Sequence, residues 1–376
     1  MRALWLAMAF GLCTGAWAQA VPVTLEKTTA GKWQLLRGGK PYIVKGVGGG
    51  DHLAELKAAG GNTIRTWGID DNTGKLLDEA QKNGLSVVVG IWLGHERHGF
   101  DYKDGQKLAE QIEAVKKAVE KYKDHPAVLA WGLGNEMEAG GKNAAIWSHI
   151  ENLAAMVKQL DKNHPTMTVT AELGEASVAN LHKLCPSIDI FGINSYGGAP
   201  SLLERYHKAG GTRPVLVTEF GPIGPWEVGK TAWGAPKEPT STEKADWYEK
   251  SAKAISADPL TLGSMAFLWG FKMEQTPTWF GMFLPTGGKV ATVDVMTRLW
   301  SRQGPGGPLP GYRASQGKHR AGGSRRECVC IGNGYGPGGQ SVDLCLGASP
   351  RARQTWSGRR CGSRDKDTAS RCGSGR

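Results

Sequence analysis

Cysteine is nearly absent from most of this chain. Of the seven cysteines in 376 residues, Cys13 lies in the N-terminal apolar stretch, and Cys328, Cys330, Cys345, Cys361 and Cys372 lie beyond residue 303. Cys185 alone remains between them, so the body of the chain has no internal disulfide framework. Charge of one sign is missing there too. The formal net charge is +11, but residues 304–376 hold 13 Lys and Arg against 4 Asp and Glu. Residues 1–303 hold 33 against 31, which leaves no general basic surface for a phosphate backbone and excludes nucleic acid as the expected partner. After the first twenty residues no apolar run approaches the ~20 residues of a membrane helix, so no stable membrane insertion is expected.

Two cofactor signatures are also lacking. Gly46-Val47-Gly48-Gly49-Gly50-Asp51 follows an early β-like run but lacks the third glycine of a dinucleotide-binding turn. The full pattern occurs only at Gly334-Tyr335-Gly336-Pro337-Gly338-Gly339, with no strand before it and a proline inside, which makes it a chance match in a glycine-rich segment. His95 and His98 are three residues apart in a loop, without the helical H-E-x-x-H spacing, so neither a zinc site nor any other cofactor is expected.

What the chain does have begins with an address. Arg2 precedes an apolar run from Ala3 to Cys13 and then Ala16-Trp17-Ala18-Gln19-Ala20, the three regions of a signal peptide cut after Ala18 or Ala20. A buried N-terminal helix is the competing reading. The leader implies a periplasmic or secreted protein.

From residue 21 onward, two short β-like pieces (21–25 and 32–36) precede a regular alternation. Apolar runs at 42–48, 62–67, 85–92, 127–133, 166–171, 188–193, 214–218 and 264–269 read as strands. Amphipathic stretches near 51–59, 74–83, 104–123, 142–161, 175–184, 200–209, 242–257 and 291–300 read as helices. Leu108, Ile112, Val115, Val119 and Tyr122 carry the spacing in the third, and Ile146, Ile150, Leu153, Met156, Val157 and Leu160 in the fourth. Eight strand-helix units in about 260 residues is the arithmetic of a (β/α)8 TIM barrel.

Barrel chemistry sits at the C-terminal ends of the strands. Those ends carry Arg65 and Trp67, Trp92, Asn135 and Glu136, Glu172, Asn194 and Tyr196, Glu219, and Trp269. Glu136 and Glu219 close the fourth and seventh strands, and two carboxyl groups facing one bond are what glycoside cleavage needs. A glutamate at a strand end is by default a solvated loop charge. The apolar and glycine neighbours in W-G-L-G-N-E instead put Glu136 near a buried wall, which would raise its pKa as a general acid requires. Glu219 in V-L-V-T-E-F-G-P has the same character, and Arg65 facing it would hold it ionised. Glu138 and Glu172 are expected in supporting or solvated positions. Trp67, Trp92, Trp131, Trp226, Trp233, Trp269 and Trp279 fall at or after strand ends, where an indole face can stack on a sugar ring; Trp131 reads equally well as core filler.

Asn135-Glu136 after strand 4, Glu219 in T-E-F-G after strand 7, N-T-I-R-T-W on strand 2 and Trp269 on strand 8 resemble clan A of the glycoside hydrolases. The barrel type is that of family 2 and its β-glucan-active relatives, over roughly residues 30 to 302. The resemblance implies a retaining double displacement with Glu136 as acid/base and Glu219 as nucleophile. It further implies Asn135 on the sugar 2-hydroxyl, Tyr196 and Arg65 on the nucleophile, and Trp269 as the floor of the subsite holding the cleaved sugar. The stretch 274–283 would be a subsite loop with Trp279 and Phe280 exposed. The partner is then a β-linked polysaccharide or oligosaccharide. The N-terminal β-sandwich domains of full family 2 enzymes are not in this chain, which puts their usual exo-acting substrates in doubt. Other readings are a transglycosylase on the same scaffold, a non-catalytic sugar-binding barrel, and a metal-dependent barrel lyase. The sugar-binding barrel is disfavoured by retention of both glutamates, and the lyase by Trp92 and Asn194 standing where metal-binding carboxylates would be needed.

Residues 304–376 are different in kind. They hold 17 of the 54 glycines and show neither helical nor alternating periodicity, so a disordered tail is expected. A natural basic tail on anionic cell-wall polymers is one explanation. Five cysteines with nothing to position them suit an oxidising compartment poorly, and the abrupt change near 301–305 points to out-of-frame translation.

Overall fold

The computed structural model describes residues 19–137 and 140–301, with the backbone of two further strands near the C-terminus. The chain opens on a small antiparallel sheet of β1 (Val23–Lys27), β2 (Trp33–Arg37) and β3 (Lys40–Pro41). Eight strands follow: β4 (Val44–Gly48), β5 (Thr63–Arg65), β6 (Ser86–Ile91), β7 (Val128–Leu133), β8 (Thr166–Ala171), β9 (Ile190–Asn194), β10 (Val215–Phe220) and β11 (Thr261–Ala266). They pair in parallel in chain order, and β11 returns to β4, so the sheet closes into a barrel. The helices are α1 (Leu53–Ala58), α2 (Thr73–Lys82), α3 (Gly105–Tyr122), α4 (Ala144–Leu160), α5 (Ser177–Leu184), α6 (Leu202–Lys208), α7 (Ser241–Ser256) and α8 (Ala291–Trp300). This is the (β/α)8 barrel that the alternation predicts.

Local chemistry sets the boundaries. Asp104 accepts the backbone N–H groups of Gln106 and Lys107 at the start of α3, and Thr240 with Glu243 forms a reciprocal capping box on α7. Two apolar layers result. One joins the strands' outer faces to the helices through residues such as Trp131, Trp147 and Tyr206. The other fills the barrel with Val44, Val88, Leu129, Met167, Val169, Ile190, Leu216 and Met265, and it continues into Val23 and Leu35 of β1 and β2. The first sheet therefore plugs the barrel. It is tied there by Val23 N–H to Asn163 O, Trp33 N–H to Pro259 O and the Arg37 guanidinium to Pro126 O, all in loops that lead into strands. The plug leaves the opposite, C-terminal face for chemistry.

The eighth barrel strand departs from the expected 264–269. It runs from Thr261 to Ala266 and includes Gly263 at φ 129°, where a Cβ would lie 2.1 Å from Val44 O. Beyond residue 301 the described backbone comprises β12 (Cys330–Tyr335) and β13 (Ser341–Cys345), an antiparallel pair where the pattern predicts no strand. The rest of the expected disordered tail, the expected signal peptide through Ala18, and Glu138 lie outside the described residues.

Candidate active site

Glu219 ends β10 with only 5% of its surface exposed. Its Oε1 accepts from the Arg65 guanidinium at 2.8 Å and from the Trp67 indole N–H at 2.7 Å. Its Oε2 accepts from the Tyr196 hydroxyl at 2.6 Å. Arg65 is itself buried, and its second Nη atom donates to Asn135 Oδ1 at 2.6 Å. Burial and the adjacent Glu219 carboxylate hold the Tyr196 phenol well above its ordinary range, so it stays a donor.

Glu136 follows β7 and is surrounded differently. The Asn194 amide nitrogen donates to its Oε1 at 2.8 Å and to Asn135 Oδ1 at 3.1 Å, while Asn194 Oδ1 accepts from Thr218 at 2.8 Å. A continuous hydrogen-bonded path thus joins the two carboxylates: Glu219, Arg65, Asn135, Asn194, Glu136. Burial raises the Glu136 carboxyl above the usual carboxylate range; the Asn194 bond opposes this and the Glu219 charge adds to it. Glu136 also holds φ at 53°, the left-handed region that side chains seldom adopt, and Glu172 does the same at the end of β8. Non-glycine residues held there cluster at functional sites.

Both carboxylates line one cavity of about 680 Å³, within the range of ligand pockets. Trp67, Trp92, Asn135, Asn194 and Tyr196 line it as well, so seven of the ten residues singled out from the sequence share one wall; Arg65 stands directly behind Glu219.

Two tryptophans do not join them. Trp269 is fully buried, donates its indole N–H to His52 O and packs on Phe283 and Trp300, so it is core and not a subsite floor. Phe267 and Leu268 line the cavity at that end of the barrel. Trp279 is 1% exposed and donates to Ile223 O, which corrects the expectation of an exposed loop residue. From the same loop Glu274 and Phe280 reach the cavity, although Phe280 is buried and not exposed. Glu274 lies in the stretch expected as a subsite loop, whereas Phe267, Leu268, Glu227 and Lys272 were not singled out, because a loop residue's neighbours do not reveal which face of the barrel it tops. Glu172 lines the cavity, bonded to Ser195 and paired with Arg205 at 2.7 Å. Trp131 is core, its indole N–H bonded to Asp161 at 2.7 Å. Among the described residues no cluster of His, Cys, Asp and Glu could hold a metal ion, and no helix is long and apolar enough to cross a membrane.

Two glutamates on the fourth and seventh strands of a (β/α)8 barrel, joined through an arginine and two asparagines, make this a site of the clan A glycoside hydrolase type. Residues 64–233 match the family model described as "Glycosyl hydrolases family 2, TIM barrel domain". Curated relatives include mannan endo-1,4-beta-mannosidase F of Aspergillus clavatus, 27% identical over 134 residues (31% of this chain, 30% of that protein). The beta-glucuronidase of Sus scrofa is 23% identical over 238 residues (54% of this chain, 34% of that protein). The beta-D-glucuronidase of Dictyoglomus thermophilum shares the fold with a TM-score of 0.59 at 17% identity, covering 75% of this chain and 54% of that one. The chain thus spans about a third of these curated relatives and about half of the solved one.

Proposed function

We propose that this chain is a secreted retaining glycoside hydrolase that cuts O-glycosidic bonds in a β-linked glucan or oligosaccharide. The observation that carries the reading is the unequal setting of two carboxylates on one cavity wall. Glu219 accepts three donors, one of them a buried guanidinium, and so is built to carry charge as a nucleophile. Glu136 has one hydrogen-bond donor and a raised pKa, the setting of a general acid. Glu136 protonates the departing oxygen while Glu219 attacks the anomeric carbon and forms a glycosyl ester. Glu136, now ionised, then takes a proton from the water that releases the sugar. The three donors hold Glu219 in one orientation in both steps. With its oxygen engaged by Arg65 and Asn194, Asn135 has its amide N–H groups to offer the sugar. The signal-peptide pattern expected in the first twenty residues supports secretion.

NMR of the first product anomer tests the mechanism: an initial anomer opposite to the substrate's refutes it. Glu219→Ala with azide and an activated glycoside is expected to yield a glycosyl azide of inverted configuration. Products longer than the substrate would mark sugar-hydroxyl acceptors in place of water.

A further inference from the structure

The order of strands around the barrel sets β6 and β10 four places apart, on opposite sides of the mouth. Each is followed by an exposed tryptophan that lines the cavity: Trp92 after β6, 48% exposed, and Trp226 after β10, 62% exposed. Both are braced from behind. Trp92 stacks on His95 at 4.7 Å and 7°, and His95 stacks on His98 at 5.3 Å and 10°. His95 is buried, and burial, with the nearby Arg97 charge, pushes its pKa down to about 4, so a neutral ring supports the indole. Trp226 lies on Phe280 at 6.1 Å and 29°, and meets the Tyr196 ring edge-on at 5.6 Å. Core filler would be buried, and neither of these indoles is. Here flat apolar faces stand on both sides of the carboxylates, the form that stacking on ring faces requires.

The charge of the wall narrows the ligand. Its lining includes five glutamates and one cation, Lys272, which is 3.1 Å from Glu274 and lies over the Phe267 ring. Glu172 is offset by Arg205 and Glu219 by Arg65, whereas Glu227 is bonded to the backbone N–H groups of Gly197 and Gly224 and to no cation. Among the described residues the one lining cation is already engaged and Glu227 has no cation beside it, so the wall offers no partner to a sugar carboxylate.

Building on the glycosidase reading, we infer that the cleft takes an internal stretch of an uncharged β-glycan chain, stacked on Trp92 at one end and Trp226 at the other, and that cleavage is endo. The test uses the full chain on soluble β-1,4-mannan, β-1,4-glucan and β-1,3-glucan, with viscosity and reducing ends followed together. Viscosity is expected to fall well ahead of reducing ends; release of monosaccharide from chain termini at unchanged viscosity would overturn the inference. Trp92→Ala and Trp226→Ala are each expected to lower kcat/KM on a hexasaccharide about tenfold more than on an aryl monoglycoside, with the Tyr variants restoring most of it. Equal losses on both substrates would overturn it, as would a β-linked polyuronate cut as fast as the neutral chains. No turnover of any glycoside would refute the glycosidase reading itself, a result distinct from these.

Discussion

Replacing Arg65 by methionine removes the cation from a pair that is almost fully enclosed, its side chains 2% and 6% exposed. Glu219 would be left buried with its Trp67 and Tyr196 donors but no countercharge. Breaking a buried pair from one side costs about 3–5 kcal/mol, because the remaining charge stays desolvated. For a barrel of this size that corresponds to a Tm lowered by roughly 10 °C. Glu219→Gln in the same background removes the stranded charge and keeps the acceptor oxygen. Arg65→Met/Glu219→Gln is therefore expected to regain at least ~2 kcal/mol over Arg65→Met alone. The part not regained is the lost Arg65 bond to Asn135, a bond to a charged group worth about 1.5–3 kcal/mol. Urea unfolding of wild type, both single variants and the double variant measures the coupling directly. Additivity within ~0.5 kcal/mol would show that the two residues do not act as a pair, and the account of Glu219 as a charge-bearing nucleophile would fall with it.

Glu136→Gln is expected to lose activity on natural glycosides by about 10²–10⁴-fold while keeping most of the first-turnover release from an aryl glycoside whose leaving group needs no proton. Equal loss on both would show that Glu136 is not the acid. Because burial raises this carboxyl in the folded state, its contribution to stability is present below the unfolded pKa of about 4.3 and is lost as pH rises through the folded value. Glu136→Gln should accordingly match wild type in thermal melts near pH 4 and exceed it at pH 7; a gap of the opposite sign contradicts the raised value. Tyr196→Phe removes one donor to Glu219 and keeps the ring contacts, so kcat/KM should fall about tenfold to a hundredfold with Tm little changed. A chain ending at Gln303 should fold and hydrolyse like the full chain, since α8 completes the eighth unit at Trp300; failure to fold, checked by circular dichroism and melting, would show that the later residues are needed.

The barrel was legible because each unit changes hydrophobic period from two to 3.6, and the strand ends fell within a few residues of their places. The eighth strand slipped because Gly263 reads as a breaker, while the apolar A-F-L-W run past Ala266 reads as a strand although it crosses the barrel mouth as a loop. Site residues on the strands or just past their ends, from Arg65 to Glu219, were found because strand position alone places them at the mouth. Trp269 and Trp279 could not be told from Trp92 and Trp226, since an indole has the same apolar character as core filler or as a platform. The difference lies in partners far along the chain: Trp269 reaches back to His52, whereas Trp92 rests on a histidine three residues away.

With the antiparallel sheet seated under a packed barrel, the two carboxylates are reached through the cavity at the C-terminal end. On the proposed mechanism, the fragment that leaves after the first bond breaks and the water that follows share a cavity lined by Trp92 and Trp226. A fragment that stays longer on its indole would keep water out and remain in position to react again. On the proposed double displacement, the grip of these two indoles would set how often the glycosyl ester is released to water and how often it is handed back to sugar.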